Sequence, residues 1–155
     1  MKADKTVDYH IKSGWHAISR MYNSYAAPFD MTMAIGYVLL NIDRKGTPAT
    51  KIAPALGLEA RSLTRMLKTL EDKKWIRRES DDDDRRVVNV YLTEEGKKKR
   101  ELAKEGVIAF NNAIYEKIGE DKLTIFFEVM QKVSEVVNID TATYKAENIA
   151  EEALS

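Results

Sequence analysis

Polar side chains recur at helical spacing between residues 60 and 74, and together they could contact a nucleic acid. They are Arg61, Ser62, Thr64, Arg65 and Lys68, and the apolar residues among them are Leu63, Met66, Leu67 and Leu70. Apolar residues at i, i+3, i+4 and i+7 predict an amphipathic helix, so the polar set falls on its exposed face. Arginine can donate two hydrogen bonds to a guanine edge, Ser and Thr can bond bases or phosphates, and lysine suits phosphate. The alternative is a solvated basic face on an ordinary helix.

A charged turn lies further along the chain, where four aspartates at 81–84 precede two arginines. The flanking runs 75–80 and 86–92 predict two short strands joined by this turn. Arg86 suits insertion into a minor groove, because a narrow A·T-rich groove concentrates negative potential. We expect Asp84 to fix the Arg86 guanidinium through a charge-assisted hydrogen bond. The second candidate contact surface therefore consists of Asp84, Arg85 and Arg86.

The charge of the chain is unevenly distributed, although Lys and Arg balance Asp and Glu overall. Residues 44–100 carry a net charge of +6, and residues 101–155 carry a net charge of −6. A basic segment of this kind favours a polyanionic partner, and a solvated charged face is the alternative. Within that segment, Asp81–Asp83 would repel phosphate unless the turn directs them outward or they pair with Arg77 and Arg78.

The elements around these residues follow the order of a winged helix-turn-helix. Thr47 is predicted to cap a short helix with Pro48 at its first position, and Gly57 ends that helix before the helix at 60–74 begins. In this motif the second helix enters the major groove, while the hairpin reaches over phosphates or into the minor groove. Thr47 and Thr50, at the start of the first helix, complete the candidate DNA contacts.

Further helices are predicted on both sides of this region. The first has a heptad-like stripe of Ile11, Trp15, Ile18, Tyr22 and Tyr25. Thr32 caps the next helix, and Gly46 closes it. Thr93 caps a long helix that Gly119 ends. A last helix carries Leu123, Phe126, Phe127, Met130, Val133 and Val137. The expected fold class is mainly α-helical with a small β-hairpin wing.

Residues 47–96 resemble the DNA-binding region of the MarR family of bacterial transcription regulators. The resemblance rests on the stretch TPATKIAPALGLEARSLTRMLKTLEDKKWIRRESDDDDRRVVNVYLTEEG, which has Asp-x-Arg in the turn and Leu-Thr-x-x-Gly after it. The flanking helices match the family's arrangement in length and position. The resemblance implies a single domain over 1–155, with a winged helix-turn-helix at 32–96, dimerisation helices at 8–30 and 97–138, and a C-terminal tail at 139–155.

The resemblance also implies a function and partners. The expected function is a sequence-specific DNA-binding transcriptional regulator, a repressor, that binds a pseudo-palindromic operator in double-stranded DNA as a homodimer. A small-molecule effector would modulate binding from a pocket where helices 8–27, 32–44 and 97–118 meet. Candidate ligand contacts are Trp15, His16, Arg20 and Tyr37, although Trp15 also suits a dimer core. The alternative function is a winged-helix module that binds proteins rather than DNA.

Other function classes are disfavoured by what the sequence lacks. Without Cys there is no disulfide framework, thiolate metal site or thiol-based oxidation sensor. His10 and His16 do not have the i, i+4 spacing of a helical metal site. Because phosphate-binding loops, dinucleotide-binding glycine motifs and nucleophile elbows are also missing, we expect no enzyme, metal or cofactor. The amino terminus has no apolar core of a secretory signal and no apolar run is long enough for a bilayer, so we expect a cytoplasmic protein with no membrane partner.

Overall fold

The computed structural model describes residues 2–143, with side chains through Asn138. The helices are α1 (Val7–Ala26), α2 (Met33–Leu40), α3 (Ala49–Leu56), α4 (Ala60–Asp72), α5 (Glu94–Ile118) and α6 (Glu120–Thr143). The strands are β1 (Thr47–Pro48), β2 (Ile76–Ser80) and β3 (Val88–Leu92). The fold is mainly helical with a small antiparallel sheet, as the sequence predicts. The chain divides into two compact units within α5, between Ala109 and Phe110.

The predicted hairpin forms, and a third strand joins it. β2 and β3 are antiparallel, with Ile76 opposite Leu92 and Ser80 opposite Val88. β1 pairs with the other edge of β3, with Thr47 opposite Val90, so the strand order is β1-β3-β2. β1 has only two residues and therefore no periodicity, so it could not be predicted from the sequence.

Two predicted helix boundaries between α2 and α3 are wrong. α2 ends at Leu40, well before Gly46, and Gly46 has a φ of 92° in the turn that leads into β1. Thr47 does not cap α3, because the residue before the helix is Pro48. Instead, the Thr47 hydroxyl accepts a hydrogen bond from the Asp43 N–H at 2.9 Å. The Thr-Pro pair therefore anchors the start of α3 to the sheet.

Other predicted helix signals are confirmed. The Thr32 hydroxyl accepts a hydrogen bond from the Ile35 N–H at 3.2 Å and so caps α2. Gly57, with a φ of 62°, ends α3 in the left-handed conformation that glycine adopts without strain. Gly119, with a φ of 89°, separates α5 from α6.

The core of the first unit lies between α2, α3, α4 and the sheet. Its buried members include Val38, Leu39, Ile42, Ile52, Leu63, Leu67, Leu70, Trp75, Ile76, Val90 and Leu92. Burial of each large apolar side chain contributes about 1.5–3 kcal/mol relative to leaving it exposed. Three leucines of α4 belong to this core, so their burial fixes which face of α4 meets solvent.

Thr93 caps α5, as predicted, and ties the start of that helix to the turn between α4 and β2. Its hydroxyl accepts a hydrogen bond from the Gly96 N–H at 3.1 Å and donates one to the Lys74 carbonyl at 2.7 Å. Its own N–H donates to the Trp75 carbonyl at 3.0 Å. The wing therefore leads into α5 through a closely bonded joint.

The two tryptophans have contrasting surroundings. Trp75 is buried, and the ammonium groups of Lys73 and Lys99 lie 5.0 Å and 4.8 Å from its ring centroid. Both distances fall within the range of cation–π attraction. Trp15, on α1, is 48% exposed and stacks on Tyr37 with their ring centroids 6.5 Å apart.

The second unit contains the end of α5 and α6. Large apolar side chains on α6 are exposed, namely Ile125, Phe126, Phe127, Val129, Val136 and Val137. α6 continues to Thr143, so the first residues of the predicted tail are helical, and 144–155 lie outside the described residues. No helix found between residues 2 and 143 combines the length and apolarity needed to cross a membrane.

Candidate nucleic-acid interface

α4 gathers the candidate recognition residues on its solvent side. Its three buried leucines face the core, whereas the exposed residues include Arg61, Ser62, Thr64, Arg65 and Lys68. The Thr64 hydroxyl donates a hydrogen bond to the Ala60 carbonyl at 2.9 Å, so its oxygen can still accept one. The five residues therefore lie together as one surface, which we call the α4 face.

The cations of the α4 face are free of ion pairs within the described chain. No carboxylate with a described side chain lies within 4.0 Å of a cationic nitrogen of Arg61, Arg65 or Lys68. Like charges at i, i+3 and i, i+4 destabilise a helix by about 0.2–0.5 kcal/mol per pair. A bound polyanion would relieve this repulsion, and no internal pair would have to break first.

Arg77 and Arg78, on β2, are paired with glutamates. Arg77 Nε lies 2.7 Å from Glu79 Oε1, and Arg78 donates two hydrogen bonds to Glu71 at 2.7 Å and 3.1 Å. These hydrogen bonds, donated by Arg78 and accepted by Glu71, lower the pKa of Glu71 and raise the pKa of Arg78. The pairing of these arginines with Asp81–Asp83, one of two arrangements considered from the sequence, therefore does not occur.

The predicted contact between Asp84 and Arg86 is confirmed at the tip of the wing. Arg86 Nε and Nη2 donate to the two oxygens of Asp84, each at 3.1 Å, and the Arg86 N–H donates to Oδ1 at 3.0 Å. These bonds lower the pKa of Asp84. The Arg86 side chain is nevertheless 90% exposed. It is thus oriented in advance while its outer surface stays open, which reduces the ordering cost of binding. Arg85, beside it, is also exposed.

Asp81 organises the wing turn from within. Its Oδ1 accepts hydrogen bonds from the N–H groups of Asp83 and Asp84 at 2.9 Å and 3.2 Å, and its Oδ2 accepts one from Asn89 Nδ2 at 3.1 Å. The backbone hydrogen bonds, first that of Asp83, lower the pKa of Asp81. Asp82 and Asp83 are exposed. The four aspartates therefore do not act as one repulsive run. An aspartate tends to accept a hydrogen bond from the backbone two residues on, and this tendency is the sequence signal for the role of Asp81.

The Asp84 carboxyl is expected to titrate below the ordinary aspartate value of about 3.9, and Arg86→Ala is expected to raise its pKa towards that value. Because the pKa is depressed in the folded protein, the pair stabilises the wing above the unfolded pKa, and this contribution is lost as the pH falls through the folded pKa. Carbon-13 NMR of the side-chain carboxyls during acid titration measures the shift, with Asp82→Asn as a control. The same Asp84 midpoint in wild type and Arg86→Ala would contradict the pairing.

The two threonines predicted at the start of the short helix differ. Thr47 is 8% exposed and its hydroxyl is bonded inside the fold, so its side chain is not open to a DNA contact in this conformation. Thr50 is exposed in the first turn of α3. Thr50 and Thr64 border the same groove between α3 and α4. The structure therefore brings Thr50, but not Thr47, to the edge of the α4 face.

The four ligand candidates do not line one cavity. Tyr37 borders a cavity between α1, α2 and α5, whereas Trp15, His16 and Arg20 do not. The walls of this cavity also include Tyr22 and Tyr25 of the α1 stripe. Burial raises the pKa of both Tyr22 and Tyr37. The cavity measures about 30 Å³, so it is too small for an organic molecule in this conformation.

Sequence comparison finds similar proteins, and the family match lies over the winged helix-turn-helix. A model described as MarR family matches residues 37–88, which run from α2 to the start of β3. The uncharacterized HTH-type transcriptional regulator YhbI of Bacillus subtilis (strain 168) is 34% identical over 97 residues, which cover 62% of this chain and 63% of YhbI. The chain thus spans less than two thirds of that relative's length. The relative is named as a regulator and not as an enzyme, in agreement with the prediction.

Structural comparison finds the same architecture in two DNA complexes. The structure of an E. coli MarR variant complexed with operator DNA is 26% identical, with a TM-score of 0.73, and the match covers 82% of this chain and 92% of that one. The S. aureus MepR–DNA complex, at 23% identity, shares the fold with a TM-score of 0.78 over 84% of this chain and 98% of that one. Together with the helix-turn-helix and wing described above, these matches show that the chain is similar to MarR-family regulators in its winged helix-turn-helix and in its fold.

Proposed function

We propose that the chain is a transcriptional repressor that binds a pseudo-palindromic operator in double-stranded DNA as a homodimer. The observation that carries the proposal is the unpaired cationic α4 face beside an exposed wing arginine already held by Asp84. The E. coli MarR variant, whose structure includes operator DNA, supports operator binding by this chain.

The dimensions of α4 suit the major groove, which is wide enough to admit a helix. Arg61 and Arg65 are one helical turn apart, so their Cα atoms differ by about 6 Å along the helix axis. Base pairs stack at about 3.4 Å, so the two arginines can address bases about two steps apart. Lys68, a further turn along, is placed for a phosphate.

The wing supplies a second contact of a different kind. Arg86 extends from the turn, and its guanidinium can enter a minor groove that is narrow and strongly negative. Two N–H groups of the Arg86 guanidinium donate to Asp84, and its remaining donors are available to DNA. Asp81 directs its carboxylate into the turn, which reduces the repulsion that the acidic run would otherwise cause.

The apolar surface of the helices outside the winged region supports the proposed homodimer. Exposed apolar clusters of this kind mark protein–protein interfaces. On α6, Ile125, Phe126 and Val129 are each at least half exposed. On α1, Ile11 and Trp15 of the predicted stripe are also exposed. A two-fold dimer would present two α4 faces to half-sites about 34 Å apart, or one turn of DNA.

The proposal includes release from DNA by a small-molecule effector. The cavity between α1, α2 and α5 has mainly apolar walls with tyrosine rings from two helices. Its present volume of about 30 Å³ is far below the roughly 300 Å³ of small-molecule sites. An effector would therefore have to displace a wall residue such as Tyr37, and this movement would alter the packing of α1 against α2.

Replacing Arg65 with alanine is expected to weaken binding to an operator by about 1–3 kcal/mol per half-site and to relax the preference at one base position. The operator is first selected from randomised duplex DNA by the wild-type protein.

Arg86→Ala is titrated against the same operator at several salt concentrations. It is expected to lower the slope of log affinity against log salt concentration by about one unit. Lys132 is an exposed cation on α6, so Lys132→Ala is the control and is expected to bind DNA like the wild-type protein.

The affinities of these variants for selected and random DNA show whether the arginines contact bases, contact phosphates or do not contact DNA. If Arg65→Ala weakens selected and random DNA equally, Arg65 contacts phosphate and the proposed orientation of α4 is wrong. If wild-type protein selects no sequence, or if neither variant changes affinity, DNA recognition by this surface is refuted. A winged-helix module that binds proteins would then become the better description.

A further inference from the structure

A second pocket lies on the first unit, away from the cavity between α1, α2 and α5. It measures about 320 Å³ and is lined by Arg44, Leu92, Lys97, Arg100 and Glu101. These residues come from the loop after α2, the end of β3 and the first turns of α5. Three of its five lining residues are cations and one is an anion, so the pocket has a cationic lining.

Arg100 lacks a full set of partners within this pocket. Its side chain is 21% exposed, and its Nε is buried without a hydrogen-bond partner among the described residues. Its closest carboxylate is that of the adjacent Glu101, at a long 3.5 Å from Nη1, and Glu101 also faces Lys104 at 3.8 Å. A buried donor on a charged group is costly to leave unsatisfied, so this guanidinium has unused capacity for an acceptor.

The other cations leave the pocket with an excess of positive charge. Lys97 pairs with Glu94 at 2.7 Å, and this contact offsets its charge in part. Arg44 is exposed, and no described carboxylate lies within ion-pair distance of it. Arg44 and Arg100 therefore form two guanidinium groups on one pocket, with Glu101 as the single anion of the lining.

We propose that this pocket binds the phosphate group of a small phosphorylated molecule. Guanidinium forks match the geometry of phosphate oxygens, and a dianion suits two arginines and a lysine better than a singly charged carboxylate does. The pocket volume of about 320 Å³ is within the range of small-molecule sites and exceeds what a phosphate alone needs. Leu92 supplies an apolar wall for the rest of the molecule.

The geometry favours a small molecule over the phosphate backbone of DNA. Backbone contacts are made by side chains whose charged ends extend into solvent, as on the α4 face. Arg100 is instead largely covered and offers its Nε inside a concavity. A small phosphorylated molecule can enter that concavity, whereas a duplex presents its phosphates on a convex surface.

The test uses the full chain in phosphate-free buffer, with ribose 5-phosphate and inorganic phosphate as probes. Ribose and acetate, the latter at matched ionic strength, are the controls for the sugar and for general anion binding. Nitrogen-15 NMR follows the Nε–H resonance of Arg100, and calorimetry gives the affinity. Saturable shifts are expected with both phosphates and not with ribose or acetate.

Variants show whether ribose 5-phosphate binds at a defined site or is attracted by surface charge in general. Arg100→Gln and Arg44→Ala are each expected to weaken ribose 5-phosphate binding by about tenfold or more. Arg44 lies in an exposed loop, so its variant tests the pocket even if Arg100→Gln fails to fold. Lys98→Ala, next to Lys97 but outside the lining, should bind like wild type.

Three results would overturn the proposal. The first is that neither phosphate probe shifts the Arg100 Nε–H resonance saturably. The second is that acetate shifts this resonance as much as phosphate does. The third is that Lys98→Ala and Arg44→Ala lose equal affinity for ribose 5-phosphate. A fourth result would show that the pocket contacts DNA rather than a small molecule. If Arg44→Ala and Arg100→Gln weaken operator binding, and operator DNA displaces ribose 5-phosphate, the pocket holds the DNA backbone instead. This outcome would leave the proposed repressor function intact.

Discussion

Gly96→Ala is expected to destabilise the folded protein by about 3 kcal/mol or more, as an unrelieved steric overlap in a packed region does. An added Cβ would lie 1.8 Å from the Trp75 carbonyl oxygen and 2.8 Å from its carbon. Both are backbone atoms, and that carbonyl also accepts the Thr93 N–H. The methyl group cannot be accommodated by a rotamer change, so the joint between the wing and α5 has to open.

Urea denaturation at a fixed protein concentration measures this effect, because dimerisation would make apparent stability depend on concentration. Gly14→Ala is the matched control, since Gly14 lies within α1 and an added Cβ there meets no atom within 4 Å. It is expected to stabilise the protein by about 0.5–1 kcal/mol through helix propensity. If the two variants have equal stability, the contact between Gly96 and Trp75 does not constrain the fold.

Phe126→Asp is expected to convert a dimer into folded monomers at micromolar concentration. Phe126 is 52% exposed on α6, so the change costs an isolated chain little, whereas a buried interface would acquire an unpaired charge. Operator affinity should then fall by about 10²–10⁴-fold, because the second half-site no longer binds as part of the same molecule. Light scattering gives the mass, and operator titration gives the affinity.

Glu128→Gln, an exposed polar residue on the same helix, is the control and should leave both the mass and the affinity unchanged. Circular dichroism of Phe126→Asp checks that the helices remain formed. A wild-type protein that is monomeric at micromolar concentration would refute the homodimer. A dimeric Phe126→Asp with full affinity would place the interface elsewhere.

The helices and the hairpin could be predicted because their signals are local. Periodic leucines located α4 and its exposed face, and Thr32, Thr93 and Gly57 marked helix ends through bonds to residues nearby in the chain. The same spacing placed Arg65 correctly on the solvent side. Such features depend on a few adjacent residues, so one sequence suffices to find them.

The missed features depend on residues that are distant in the chain. Thr47 resembles a helix cap, yet its strand pairs with Val90, and no local pattern encodes that partner. The pocket at Arg100 likewise needs the loop that carries Arg44 to meet α5. The Asp84–Arg86 contact was predictable since its partners are two residues apart, whereas the role of Asp81 required a view of its bonds to the turn and to Asn89.

The contrasting tryptophans give the protein two built-in optical reporters. Indole emission moves to longer wavelengths as the ring meets water, so the exposed Trp15 should emit to the red of the buried Trp75. Trp15 stacks on Tyr37 beside the small cavity, and Trp75 lies next to the joint between the wing and α5. With one tryptophan replaced by phenylalanine at a time, fluorescence can follow events at the cavity and at the winged region separately, without an attached dye.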